Sequence, residues 1–192
     1  MAKAPDSKEK TLAAAANLFR QRGYHGTALH DILEAGGSPR GSLYFHFPGG
    51  KEEIGEAALT LSGAAVAQAI AKAAETAENA ETFVIGIARR MASNLETSDY
   101  QGGCPIATTA LETAAQSEVL GKAAREAFQS WEREIARGLV RFGMKAADAD
   151  HAATAVLSLL EGALLLSRTY RSIEPMRRAE KAVVMLVGKR AR

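Results

Sequence analysis

The chain has 192 residues, 47% hydrophobic and 24% charged, enough apolar content for a substantial core in one or two small domains. Its net charge of +2, without a Lys/Arg run, argues against a protein that coats nucleic acid nonspecifically but leaves room for a specific reader, which needs only a handful of contacts. One cysteine, Cys104, excludes an internal disulfide framework, and neither the polar stretch 1–10 nor the interrupted apolar stretch 152–166 has the form of a signal or a membrane span, so a cytoplasmic protein without a membrane partner is expected.

Abundant alanine and the near-absence of strand-type alternation predict an all-α fold of about nine helices. A first helix is expected from near Asp6, where Asp6 and Glu9 have capping-box spacing, to Gly23, with Leu12, Ala15, Ala16 and Phe19 on one stripe. Thr27 reads as the N-cap of a short second helix whose Leu29, Ile32 and Leu33 face inward. Gly36 and Gly37 form the turn. Ser38 and Pro39 then carry the start signal of a third, stubby helix. Three short helices with a glycine turn between the last two make a helix-turn-helix unit.

The third segment carries the functional argument. It presents small and polar groups first (Arg40, Gly41, Ser42), then Tyr44, Phe45, His46 and Phe47, then Lys51 after a Pro-Gly-Gly break. A short helix with a polar N-terminal end suits a DNA major groove, and the hydroxyl, imidazole and amine behind it suit flanking phosphates.

A long helix follows from about Gly50 to the 75–79 region, bent at Gly63, and another covers 80–96 with Phe83, Ile87, Met91 and Leu95 on a stripe. Pro105 starts a short helix to 115, Ser117 caps one over 118–142, Asp148 caps one running to about 171, and Pro175 begins the last. The helix containing Val156, Leu160 and Ala163 is apolar nearly all round, and the final one carries Val183 and Leu186 in a similar run. Such helices must be covered on every side, so these five residues are candidates for a two-fold four-helix bundle between two copies. A central core helix without a dimer is the alternative reading.

Ligand-pocket candidates are Leu61, Phe83, Met91, Cys104, Ile106, Phe128, Trp131 and Glu161, although each of the apolar ones has the spacing of a plain core residue. Glu161 interrupts an apolar helix and needs a partner, from a ligand, Arg168 or a second subunit. His25, His30 and His46 fit no compact metal-ligand spacing, so no metal or cofactor is expected. No phosphate loop or nucleophile elbow is present, and Asp148 with His151 lacks the matching elements of a metal bundle, so an enzyme is not expected.

Phe19, Gly23, Tyr24 and Thr27, then Asp31-Ile32, Ala35-Gly36, Ser38 through Phe47 and Lys51-Glu52-Glu53-Ile54 together resemble the TetR family of bacterial repressors. Gly37 stands where the family usually has an aliphatic residue, which loosens the expected turn. The long Pro48-Gly49-Gly50 linker and Gly103-Cys104-Pro105-Ile106 resemble the LmrA/YxaF-type branch. The resemblance implies a homodimer with a helix-turn-helix domain at 1–52 and a helical ligand-binding and dimerisation domain at 53–192. It implies that Thr27 and Ser38 hold phosphate at helix starts, that Arg40 reaches a base edge and that Gly41 permits close approach. Tyr44 and His46 would donate to phosphate, Phe45 would touch a thymine methyl, and Lys51 would contact phosphate from the long helix, while Leu43 and Phe47 are core. The implied partners are a near-palindromic duplex DNA operator and a largely apolar or aromatic small-molecule effector that releases it. Two rivals stand beside this reading, an activator or constitutive regulator without a ligand, and a helical small-molecule-binding or enzymatic protein with a vestigial DNA head.

Overall fold

The computed structural model describes residues 7–38 and 45–188, which form eight helices and, among the described residues, no strand. They are α1 (Ser7–Arg22), α2 (Leu29–Gly36), α3 (Gly50–Thr76), α4 (Ala80–Thr97), α5 (Ala107–Thr113), α6 (Glu118–Arg141), α7 (Ala146–Tyr170) and α8 (Glu174–Val187). The all-α class is as expected. Asp6, Arg40, Gly41, Leu43 and Tyr44, and with them most of the expected third helix, lie outside the described residues.

The chain divides into two compact units, one of residues 1–63 and 104–127, the other of 64–103 and 128–192. This partition differs from a single boundary at 52/53, because α5 and the first half of α6 pack with the N-terminal helices. The division passes through α3 after Gly63 and through α6 after Ala127.

In the first unit, Ala15, Leu18, Phe19, Ile32, Leu33, Phe47, Ile54 and Ala58 form one buried cluster, with Leu12, Tyr24 and Leu29 packed at its edge. The expected stripes of the first two helices are therefore its substance. Helix α2 starts differently from expectation: Ala28 is its N-cap, and Thr27 lies one residue earlier, fully buried. The Thr27 hydroxyl donates back to the Gly23 carbonyl at 2.8 Å, and the Asp31 carboxylate takes the Ala28 amide at 3.0 Å. The stronger capping side chain is thus spent on the preceding turn, and the acid in the first turn does the capping.

Gly37 corrects another expectation. It adopts a left-handed φ of 60° and closes α2, its amide bonding Glu34 O and that of Ser38 bonding Leu33 O. This is the Schellman pattern, in which glycine carries no Cβ penalty, so Gly37 fixes the turn. Helix α3 runs as one element through Gly63, and a Cβ there would lie 2.7 Å from that of Ala127 on α6. Gly63 serves a close helix crossing.

In the second unit, α7 packs against α8 and α4, and α4 against α8. Helix α4 is capped by Asn79, which accepts from the Thr82 amide at 2.9 Å while Thr82 accepts from the Asn79 amide at 3.1 Å. Helix α6 starts as expected with Ser117, whose hydroxyl accepts from Leu120 N at 3.1 Å. Helix α7 starts earlier than expected, with Lys145 as N-cap, and Asp148 sits in the first turn where its charge favours the helix dipole. Buried Ser167 accepts from the Met176 amide at 3.1 Å, which joins α7 to the start of α8.

Four of the five dimer candidates, Val156, Leu160, Ala163 and Val183, are buried within the chain itself. The exposed apolar residues of these helices are Leu165, Leu166 and Tyr170 on α7, with Met185 and the remaining candidate Leu186 on α8. On a helix apolar all round, periodicity marks two opposite faces equally and cannot say which one turns inward. Helices α3 and α7 are long and apolar enough to cross a membrane, yet each carries buried residues at helical spacing, as core helices do.

Candidate nucleic-acid interface

The described part of the N-terminal head ends on one side at Ser38 and resumes at Phe45. Ser38 is half-buried, and its hydroxyl lies 2.8 Å from that of Thr11 and 3.1 Å from that of Ser7. Thr11 is itself buried and donates to Ser7 O at 2.8 Å. Three hydroxyls thus tie the start of the third segment to the first turn of α1. Thr27 donates through its hydroxyl to Gly23 O and through its amide to Tyr24 O, so both of its donors are taken within the turn.

Beyond the undescribed residues, Phe45, His46 and Phe47 split by environment. Phe45 is 83% exposed, Phe47 is 1% exposed, and His46 lies between them in edge-on contact with both rings. An apolar ring left in water on a small head has no folding rationale and is available to a partner. Phe47 is core, as the sequence suggests.

Lys51 stands in the first turn of α3, with its ammonium 4.2 Å from the centroid of the Tyr24 ring. Partial burial holds its pKa below the ordinary lysine value, and the nearby Glu112 carboxylate opposes that shift. The Tyr24 phenol is pushed up by burial and then by Glu52. The turn between α1 and α2 is held from α5: the His25 amide donates to Glu112 at 2.7 Å. Ser117 at the start of α6 donates to Glu52 at 2.6 Å. Sequence reading missed Glu112, Glu52 and the ring of Tyr24 in these roles. Their partners lie up to 87 residues away, a separation that no local pattern reports.

The pocket candidates are split between the units. Leu61, Cys104 and Ile106 belong to the first, where Leu61 is exposed and the other two are buried. The Cys104 sulfur accepts from the Ala107 amide at 3.3 Å, at the start of α5. Phe83, Met91, Phe128, Trp131 and Glu161 belong to the second, where Phe83 and Trp131 are buried and Phe128 meets Trp131 edge-on at 5.3 Å. A groove of about 520 Å³ in that unit is lined by other residues, among them Arg133, Arg137, Arg141 and Asp150. Among the described residues no group of three or more His, Cys, Asp or Glu could hold a metal ion.

Residues 12–58 match the model of bacterial regulatory proteins of the tetR family, and residues 80–182 match that of the C-terminal domain of LmrA/YxaF-like transcriptional regulators. Together with the helical head, these matches define a helix-turn-helix DNA-binding transcriptional regulator. The chain is 34% identical to the HTH-type transcriptional regulator YxaF of Bacillus subtilis (strain 168) over 185 residues, 96% of this chain and 97% of that one. The chain belongs to the TetR family of bacterial regulatory proteins, in its LmrA/YxaF-like branch. The fold is shared with reduced NemR of E. coli, at a TM-score of 0.85 and 23% identity, covering 98% of this chain and all of that one. It is also shared with a cysteine mutant of the TetR-family regulator CifR crystallised with 26-bp operator DNA, at a TM-score of 0.76 and 23% identity over 98% and 99% of the two chains. YxaF and CifR are both named as regulators of transcription.

Proposed function

We propose that the protein is a cytoplasmic, effector-responsive repressor that reads a near-palindromic operator as a homodimer. The observation that carries the DNA reading is the Phe45 ring, 83% exposed while the neighbouring Phe47 is buried in the core of the head. Arg40 reaches a guanine edge, Gly41 lets the backbone approach, and Ser38, Tyr44, His46 and Lys51 hold phosphates. Phe45 meets a thymine methyl. Thr27 supports the turn.

The second copy is supported by the exposed face of α7 and α8. Leu165, Leu166, Tyr170, Met185 and Leu186 would leave an apolar surface in water, and a matching copy related by two-fold symmetry covers it. Two heads then enter successive major grooves about 34–36 Å apart. The effector is a largely apolar or aromatic small molecule held in the helical core, for which Phe128, Trp131 and Met91 supply suitable chemistry. It induces by favouring a conformer whose heads are wrongly spaced, and its differential affinity for the two conformers limits the response.

The test is selection of a duplex from a randomised library by the full chain at low salt. Selection of an inverted repeat supports the reading, with Arg40→Ala costing about 1–3 kcal/mol on it and Tyr44→Phe weakening it. A thermal-shift screen then seeks compounds that stabilise the protein and release that duplex. No sequence preference, or indifference to Arg40→Ala and Tyr44→Phe together, contradicts it.

A further inference from the structure

Three amides of the turn between α1 and α2 are satisfied locally. Gly23 N donates to Phe19 O, Thr27 N to Tyr24 O, and Ala28 N to the Asp31 carboxylate. His25 is different, since its amide is taken at 2.7 Å by Glu112, a residue of the short helix α5 that lies 87 positions later. The same carboxylate packs onto the Cα of Gly23, in the space that any side chain at position 23 would fill. Gly23 also has a left-handed φ of 79°. The glycine therefore does two things: it makes the turn, and it leaves a seat for the carboxylate. Lys51, the expected phosphate contact at the start of α3, lies within the electrostatic reach of the same group. One acid thus touches the turn of the head by a hydrogen bond and by packing, and faces the head's lysine by charge.

We infer that Glu112 is a positioning residue for DNA binding, the clasp through which α5 sets the α1–α2 turn. A negative charge beside a DNA-binding head is unfavourable for approach to phosphate. Its presence at this position calls for a return, and the captured amide supplies one, by fixing the turn from which α2 and the following helix are hung. Displacement of α5 withdraws the carboxylate, frees the His25 amide and loosens the head. The inference rests on the DNA-binding reading above and deepens it by naming a residue of its control.

The experiment compares Glu112→Ala with Glu112→Gln in the full chain. Both remove the same charge, so both raise long-range attraction to DNA equally. The glutamine keeps an oxygen that can accept from His25, and the alanine does not. Amide hydrogen exchange of the free protein should show His25 exchanging at least about fivefold faster in the alanine variant and near the wild-type rate in the glutamine variant. On a duplex selected with wild-type protein, the alanine variant should dissociate several-fold faster than the glutamine variant. Glu112→Asp, one methylene shorter, keeps the charge and loses the reach; it should exchange like alanine, and it decides the matter if the alanine variant does not fold. Equal exchange at His25 in wild type, alanine and aspartate variants overturns the inference. Failure of wild-type protein to select any duplex sinks the operator-binding reading instead, and the exchange comparison still decides whether the clasp exists.

Discussion

The Lys51 ammonium lies 4.2 Å above the ring of Tyr24, so the amine at the start of α3 is tied to the turn that follows α1. A cation over an aromatic face is worth about 0.5–1 kcal/mol where water has access, which orients the amine without consuming its charge. Lys51→Gln should therefore cost the fold no more than about 1 kcal/mol. On the selected duplex it should weaken binding about evenly across sequence variants and reduce the slope of log affinity against log salt by about 1. A salt titration of binding by wild type and variant checks this.

The same pair gives an alkaline signature. The Tyr24 phenol is raised by burial and by Glu52, so folding favours its protonated form. That contribution is full below the unfolded value and disappears as pH rises through the folded one. Lys51 is lowered by burial, against the pull of Glu112, so its contribution has the opposite sign and improves as pH approaches the ordinary lysine range. Removing the lysine leaves the tyrosine effect unopposed. Thermal melts above about pH 10 should show Lys51→Gln losing stability more steeply than wild type, and Tyr24→Phe less steeply.

Core and surface faces of α7 and α8 should respond differently. Leu160 is 1% exposed, and Leu160→Ala should destabilise the fold by about 2–5 kcal/mol through the cavity it leaves. Leu165 and Met185 are 59% and 77% exposed, and changing both to Glu should leave the helical spectrum intact while dissociating the proposed dimer. Sedimentation and circular dichroism on the same samples separate the outcomes. Dissociation without unfolding in the Leu160 variant would contradict the placement.

Two helix ends in the second unit clasp each other under strain. Asp99 and Arg171 each take a left-handed φ, 49° and 47°, at the closing turns of α4 and α7. Arg171 donates to both carboxylate oxygens of Asp99, at 3.0 and 2.9 Å, with Tyr100 near its guanidinium. A left-handed non-glycine residue costs about 1–2 kcal/mol, while an exposed ion pair returns about 0–1 kcal/mol. Asp99→Gly should therefore leave the melting temperature unchanged or raise it slightly. A large drop would show that the pair contributes more than its exposure implies.

What the sequence disclosed follows from the range of the forces involved. Helix stripes, the Ser117 cap and the core role of Phe47 depend on neighbours a turn or two away, and their patterns are local. Thr27 was misleading because its hydroxyl had two acceptable uses, as a cap or as a bond to Gly23, and packing chose the second. Val156 and Leu165 share one composition around one helix, so their opposite fates depend on which neighbours arrive. Glu112 was invisible because an acid on a short helix looks like any solvated charge until the chain folds back onto Gly23.

The most direct test is sedimentation of the full chain with the duplex it selects. Two chains on each inverted repeat, with the complex weakened by Arg40→Ala and by the Leu165/Met185 double change to Glu, is the predicted result. A single chain that sediments apart from every duplex at low ionic strength would contradict the account.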